Sequence, residues 1–97
     1  MPCLVLLEFV AKPGTGAQML AALREALPET RNKDGCLSVE VTRNQDDGDN
    51  ILLVMRWASR KHYETYRAWR EANGVVQTFA EATVGGLSTR FFDSTNV

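Results

Sequence analysis

The chain has 97 residues, 44% hydrophobic and 24% charged, which is the composition of an ordinary globular domain and excludes a disordered chain or a disulfide scaffold. Eleven Lys and Arg against twelve Asp and Glu leave a net charge of -1, so no basic surplus neutralises phosphates and no nucleic-acid partner is expected. Apolar runs such as Leu4 to Leu7 are far too short to cross a bilayer, and the start lacks a secretion signal's basic opening and apolar core; the expectation is one cytoplasmic domain over 1–97, its core about 4–92, with no membrane partner.

Leu4 to Ala11 reads as a strand rich in Val, Leu and Phe, ended by Lys12-Pro13-Gly14. Thr15 is placed to cap a helix that starts near Ala17, where Met19, Leu20, Leu23, Ala26, Leu27 and Thr30 form one apolar stripe. Pro28 should kink or end that helix, and Asp34-Gly35 should turn the chain. Cys36 to Arg43 alternates, with Leu37, Val39 and Val41 on one face and Ser38, Glu40 and Thr42 on the other. Asn44 to Asn50 is a polar hairpin loop, and Ile51 to Ala58 is an apolar, central strand. Ser59 is a natural N-cap for a second helix ending near Asn73-Gly74. Val75 to Thr83 reads as a short third helix, Gly85-Gly86 as a turn, Leu87 to Asp93 as the last strand, and Ser94 to Val97 as a loose tail.

Cys3 and Cys36 are too few for a disulfide framework, and with His62 alone beside them they are too few for a zinc site, so no metal is expected. The acidic loop 46–49 lacks the spaced ligands and terminal Glu of a calcium loop. No Gly-rich phosphate loop or nucleophile elbow occurs.

The order strand, helix, strand, strand, helix, strand fits a doubled βαβ unit. Gly35-Cys36-Leu37-Ser38 and Gly85-Gly86-Leu87-Ser88 echo each other at the entries to their strands. The predicted fold class is α+β: a ferredoxin-like βαββαβ sandwich with a four-stranded antiparallel sheet, helices on one face, and sheet order fourth, first, third, second. Strand parity sends Val5, Leu7, Phe9, Val39, Met55, Trp57 and Phe91 toward the helices, and Leu37 with them. The other face carries Leu4, Leu6, Leu52, Val54 and Phe92, with Arg90, Glu8, Arg56 and Glu40 alternating in sign across the strands as a candidate ladder. An apolar face of that size predicts a two-fold homodimer through it.

Both tryptophans, both tyrosines and the only histidine lie between positions 57 and 69. His62, Tyr66 and Trp69 fall at helical spacing, with Tyr63 beside them. Periodicity alone favours a core stripe. The alternative is an apolar cavity holding a flat aromatic ligand, walled by Trp57, Trp69, Phe9, Met55 and Phe79, with Phe91 nearby.

Leu7-Glu8-Phe9-Val10-Ala11-Lys12-Pro13-Gly14 resembles the opening strand and turn of the antibiotic biosynthesis monooxygenase domain family. Thr30-Arg31 with Asp34-Gly35-Cys36-Leu37 resembles that family's entry to its second strand, and Arg56-Trp57 before a Ser-capped helix resembles its third-strand Trp. The resemblance runs from about residue 4 to 92. It implies a dimeric α+β barrel and oxidation of quinols, anthrones or related phenols by O2 with no cofactor. Many quinol-oxidising members carry a His nine residues after that Trp, where this chain has Tyr66, and their Ser-Pro-His segment is replaced by Arg70-Glu71-Ala72-Asn73-Gly74. Tyr63, six residues after Trp57, resembles the Tyr placement of anthrone-oxidising relatives.

Two readings follow. In the first, a phenolic aromatic and O2 are the small-molecule partners, Tyr63 and Tyr66 bond the substrate oxygen, His62 is a candidate base and Trp57 stacks on the ring. In the second, the chain is a non-catalytic dimeric barrel that binds a small aromatic or serves a structural or stress role.

Overall fold

A computed structural model describes residues 2–97. The elements run β1 (Cys3–Ala11), α1 (Gly16–Arg31), β2 (Cys36–Arg43), β3 (Asn50–Trp57), α2 (Arg60–Ala72), α3 (Val75–Glu81) and β4 (Thr83–Asp93). The strands form one sheet in the order β2-β3-β1-β4, all neighbours antiparallel. This is the ferredoxin-like α+β arrangement that the strand and helix patterns predict, including the sheet order. The helices cover one face. Val5, Phe9, Ile51, Leu53, Met55 and Trp57 point into that layer and are each at most 3% exposed. α1 closes over them with Met19, Leu23, Leu27 and Thr30, which recur at helical spacing and are all buried.

Four local expectations change. Leu37 is 58% exposed and does not join Val39 in the core, because the β2–β3 register shifts between Cys36 and Ser38. A bulge of one residue reverses the facing of everything before it. Pro28 neither ends nor breaks α1, which continues to Arg31. Pro28 lies on the exposed side of the helix, where water can reach the Arg24 carbonyl that its missing N–H leaves without a partner. α3 ends at Glu81 and β4 begins at Thr83, so Gly85-Gly86 lies inside the strand. Both glycines have positive φ, 84° and 82°, and they form the irregularity where β4 slips against Glu8 and Val10 of β1.

The fourth change concerns the start of α1. Thr15 makes no side-chain cap; its hydroxyl donates to the Lys12 carbonyl at 2.7 Å. Asp49, from the β2–β3 loop, supplies the cap instead. Its two carboxylate oxygens accept from Gly14 N and Gly16 N, each at 2.9 Å. These two amide bonds, Gly14 first, hold the Asp49 carboxyl below its ordinary pKa. The folded state therefore favours the carboxylate. This contribution is present above the ordinary value of about 3.9 and is lost as pH falls through the lower folded value. Asp49→Ala is expected to melt earlier than the parent at neutral pH, with the gap closing below about pH 4. Melting curves of both proteins between neutral and acid pH check this.

The uncovered face carries Leu4, Leu6, Leu52 and Val54, half-buried, and Phe92, which is 44% exposed. The predicted ladder forms only in part. Arg90 Nη2 reaches Glu8 Oε1 at 3.4 Å, but Arg56 reaches only Ser94 Oγ, at 3.5 Å. Glu8 stands opposite Leu52 while Arg56 stands opposite Leu4. Four residues along a strand separate them by about 13 Å, too far for a rung.

Candidate active site

An apolar cavity of about 70 Å³ lies between the sheet and the helices. Leu7, Phe9, Leu53 and Met55 of β1 and β3 form its floor. Leu23, Leu27 and Thr30 of α1 line one side, and Val75, Val76 and Phe79 of α3 line another. α2 contributes Tyr63, Tyr66, Arg67 and Arg70. Apart from these side chains and Thr30 the wall is carbon, so each polar group on it stands in a low-dielectric setting where its partners matter.

Those polar groups form two pairs at i, i+4 on α2. In the first, Arg67 Nη1 donates to the Tyr63 hydroxyl oxygen at 3.0 Å and to Thr89 Oγ1 at 3.1 Å. Tyr63 is 2% exposed. Burial, the largest influence, raises its phenol pKa above the ordinary value of 10.0, and the hydrogen bond from Arg67 only partly offsets this. Tyr63 is therefore a neutral phenol near pH 7, a proton donor and not a base. In the second pair, Arg70 Nε donates to the Tyr66 hydroxyl at 3.0 Å, and that hydroxyl shares a 2.7 Å hydrogen bond with Thr30 Oγ1. Arg70 Nη2 also donates to Thr30 Oγ1 and to the Ala26 carbonyl, both at 2.9 Å, and Nη1 reaches Glu29 at 3.3 Å.

Arg70 ties α2 to α1. Its removal leaves the Ala26 carbonyl, Thr30 and Tyr66 short of a donor in a buried setting. Thr30 Oγ1 and the Tyr66 hydroxyl keep their hydrogen bond to each other, so these deficits are partial and together amount to about one full deficit, which costs about 1–3 kcal/mol. Arg70→Met is expected to lower stability by about 2–3 kcal/mol and the melting temperature by roughly 10–20 °C, measured by thermal and urea unfolding.

Trp57 is 0% exposed and stands behind the phenols instead of on the cavity wall. Its ring lies 5.0 Å from that of Tyr66 and meets Tyr63 edge-on at 5.7 Å. It positions both tyrosines. Phe91 meets Tyr63 from β4 at 5.7 Å.

His62 and Trp69 lie elsewhere. They line an open groove of about 550 Å³ along α2 beside the α1–β2 turn, with Lys33, Asp34, Ser59, Lys61 and Thr65. Tyr66 is the one residue common to groove and cavity. Ser59 caps α2 by accepting from His62 N at 3.2 Å, and its Oγ lies 2.7 Å from His62 Nδ1. His62 Nε2 lies 3.7 Å from Asp34 Oδ2. A side chain at Gly35, φ +85°, would overlap the His62 ring, so the glycine is needed for both backbone and space. Lys33 Nζ sits 3.6 Å over the Trp69 ring. The structure thus gathers Tyr63, Tyr66, Phe9, Met55 and Phe79 at one cavity, with Trp57 behind, and holds His62 and Trp69 apart. The residues that sequence reading passed over are Thr30 as a polar group, Arg67 and Arg70. The repeated spacing of Tyr63 with Arg67 and Tyr66 with Arg70 was the available signal.

The sequence profile described as "Antibiotic biosynthesis monooxygenase" matches residues 2–82. The chain belongs to the antibiotic biosynthesis monooxygenase family. The matched span holds both tyrosine–arginine pairs and all of α3, and stops short of β4. Solved structures share the fold. Rv0793 from Mycobacterium tuberculosis superposes with a TM-score of 0.85 at 21% identity, covering 100% of this chain and 98% of that one. A structure described as an antibiotic biosynthesis monooxygenase gives 0.83 at 18% identity, covering 96% and 98%. A conserved protein from Methanosarcina mazei Go1 gives 0.86 at 10% identity, covering 98% and 94%. A search of curated proteins found no match. Among the described residues of this family member, no three His, Cys, Asp or Glu side chains cluster to hold a metal ion, and no helix is long and apolar enough to cross a membrane.

Proposed function

We propose that the chain is a monooxygenase that oxidises a quinol- or anthrone-like phenolic aromatic with O2, the electrons coming from the substrate itself. The observation that carries this reading is a pair of phenols on one wall of an apolar cavity, Tyr63 buried and Tyr66 half-buried, each receiving an arginine N–H at its oxygen. A phenol that accepts from a guanidinium donates its own proton more strongly. Tyr63 is suited to hydrogen-bond the substrate oxygen and stabilise the negative charge that builds there as the ring becomes electron-rich. Electron transfer to O2 and recombination at the ring carbon then convert a CH2 of an anthrone to C=O, with one water released. The carbon walls give the reactive intermediate an apolar surrounding. A cavity of about 70 Å³ is smaller than the roughly 300–1,000 Å³ of ligand pockets, so a ring must widen it. α3 is suited to give way: none of its residues is buried, and Gly74 at φ +76° precedes it.

Oxygen uptake over a panel of quinols and anthrones tests the reading, with boiled protein and a metal chelator as controls. Uptake well above the boiled control and indifferent to the chelator is expected. No excess uptake by the folded protein removes the reading for these substrates in favour of a non-catalytic aromatic-binding barrel. That second reading draws on Tyr66, whose hydroxyl is already engaged by Thr30 and Arg70.

The reading includes a homodimer in the cytoplasm. The uncovered sheet face, with Leu4, Leu6, Leu52, Val54 and Phe92 among Glu8, Glu40, Arg56 and Arg90, supports a second copy as its cover. Cys3 and Cys36 flank Trp57 on opposite sides, two strand spacings or about 9–10 Å apart, beyond disulfide reach. Leu6→Arg is expected to convert a dimer to a monomer in sedimentation; a parent that sediments as a monomer would falsify the dimer.

A further inference from the structure

We propose that Arg67 is an anion clamp and that the substrate of this cavity is an aromatic carboxylate, a phenolic acid instead of a neutral phenol. The inference rests on the cavity being a substrate site, and it names the substrate's chemistry. The two arginines on the wall differ in how their donors are used. Arg70 places Nε, Nη1 and Nη2 on Tyr66, Glu29, Ala26 and Thr30. Arg67 uses Nη1 alone, on Tyr63 and Thr89. Its Nε is buried and has no hydrogen-bond partner. The nearest carboxylate, Glu71 Oε1, is 3.8 Å away and 59% exposed, beyond hydrogen-bond reach. Among the described residues, no hydrogen bond engages Arg67 Nη2 either.

The unused edge is thus Nε with Nη2. These two N–H groups point in parallel, and together they form the fork that binds both oxygens of a carboxylate. The Arg67 side chain is 25% exposed and Glu71 stands within ion-pair range, but the buried Nε–H itself has no acceptor, and a buried N–H without an acceptor is costly enough to need an explanation. The cavity lining supplies none, since it holds two arginines and no Asp or Glu. A carboxylate on the ligand completes the fork at hydrogen-bond distance, which Glu71 does not reach. The ring then lies among Phe9, Met55 and Phe79, beside the Tyr63 hydroxyl.

Anaerobic titration calorimetry tests this with 2,5-dihydroxybenzoate, a quinol carrying a carboxylate, against its methyl ester. The parent is expected to bind the acid about 10-fold or more tightly than the ester, the size of a charge-assisted bidentate contact. In Arg67→Met the preference falls to about 2-fold or less. In Arg67→Lys, which keeps the charge but loses the fork, it falls to an intermediate value, and this variant carries the test should Arg67→Met fail to fold. Equal binding of acid and ester by the parent, a preference that survives in both variants, or no binding of either compound at millimolar concentration overturns the proposal. Oxygen is absent, so turnover does not enter. An acid preference without oxygen uptake leaves the clamp standing and removes the oxidation; uptake without an acid preference does the reverse.

Discussion

Replacing Trp57 by alanine is expected to be the most destabilising single change in the chain. Trp57 is 0% exposed on the central strand β3, and Cys3 and Cys36 stand opposite it on the neighbouring strands. Truncating a buried aromatic of this size costs about 3–5 kcal/mol in lost transfer energy and residual cavity. Domains of this length carry only about 5–15 kcal/mol in total. The loss also takes away the surface against which Tyr63 and Tyr66 pack. Urea unfolding gives the stability. Near-ultraviolet circular dichroism on protein that remains folded is expected to show looser tyrosines. Trp57→Phe keeps a ring in place and is expected to cost less. Equal stability of parent and Trp57→Ala would show that the ring is not the support it is taken to be.

Tyr63→Phe is expected to leave the fold in place and cut turnover about 100-fold, at the lower end of what a positioned proton donor contributes. The ring contacts to Trp57 and Phe91 survive, and only the hydroxyl goes. An interaction made chiefly in the transition state shows as a fall in kcat with little change in KM. Burial holds the Tyr63 phenol protonated past the ordinary tyrosine range, so this group gives no loss of activity with rising pH below about 10. The same shift bears on stability. The folded state favours the protonated phenol, so its contribution is intact below the ordinary value and is lost as pH rises through the raised folded value. A Tyr63→Phe protein is expected to lack that alkaline loss. Steady-state oxygen uptake and alkaline melting curves, run on parent and variant, check both statements. Parental turnover in the variant takes the catalytic role from Tyr63.

The particular elements show where local pattern is enough and where it is not. The alternation in Leu4 to Ala11 and Ile51 to Ala58 and the stripe from Met19 to Thr30 identify faces correctly because each depends only on backbone period. Leu37 breaks the pattern because a bulge is a property of two paired strands, visible only when β2 meets β3. Thr15 has the right chemistry for a cap, yet Asp49 holds the position, 33 residues away from Gly16 in sequence. Ser59, by contrast, caps α2 as its sequence suggests, because its partner, His62 N, is three residues on.

The candidate site divides in the same way. Sequence by itself determined that aromatic and hydroxyl groups concentrate on α2 and that this helix faces the sheet after Trp57. A helix repeats every 3.6 residues, so which side chains share a stripe is settled locally. It could not separate His62 and Trp69 from the cavity, since residues one position apart on a helix, such as His62 and Tyr63, point about 100° apart and meet different neighbours. Only the tertiary structure decided which of them faces the sheet. It also decided the partners: Arg70 finds Thr30 and Ala26 on α1, and Arg67 finds Thr89 on β4. Apolar side chains need only to be buried, and a periodic pattern records that. A buried polar group needs one particular partner at hydrogen-bond distance, and that partner is supplied by whichever distant segment the fold packs against it.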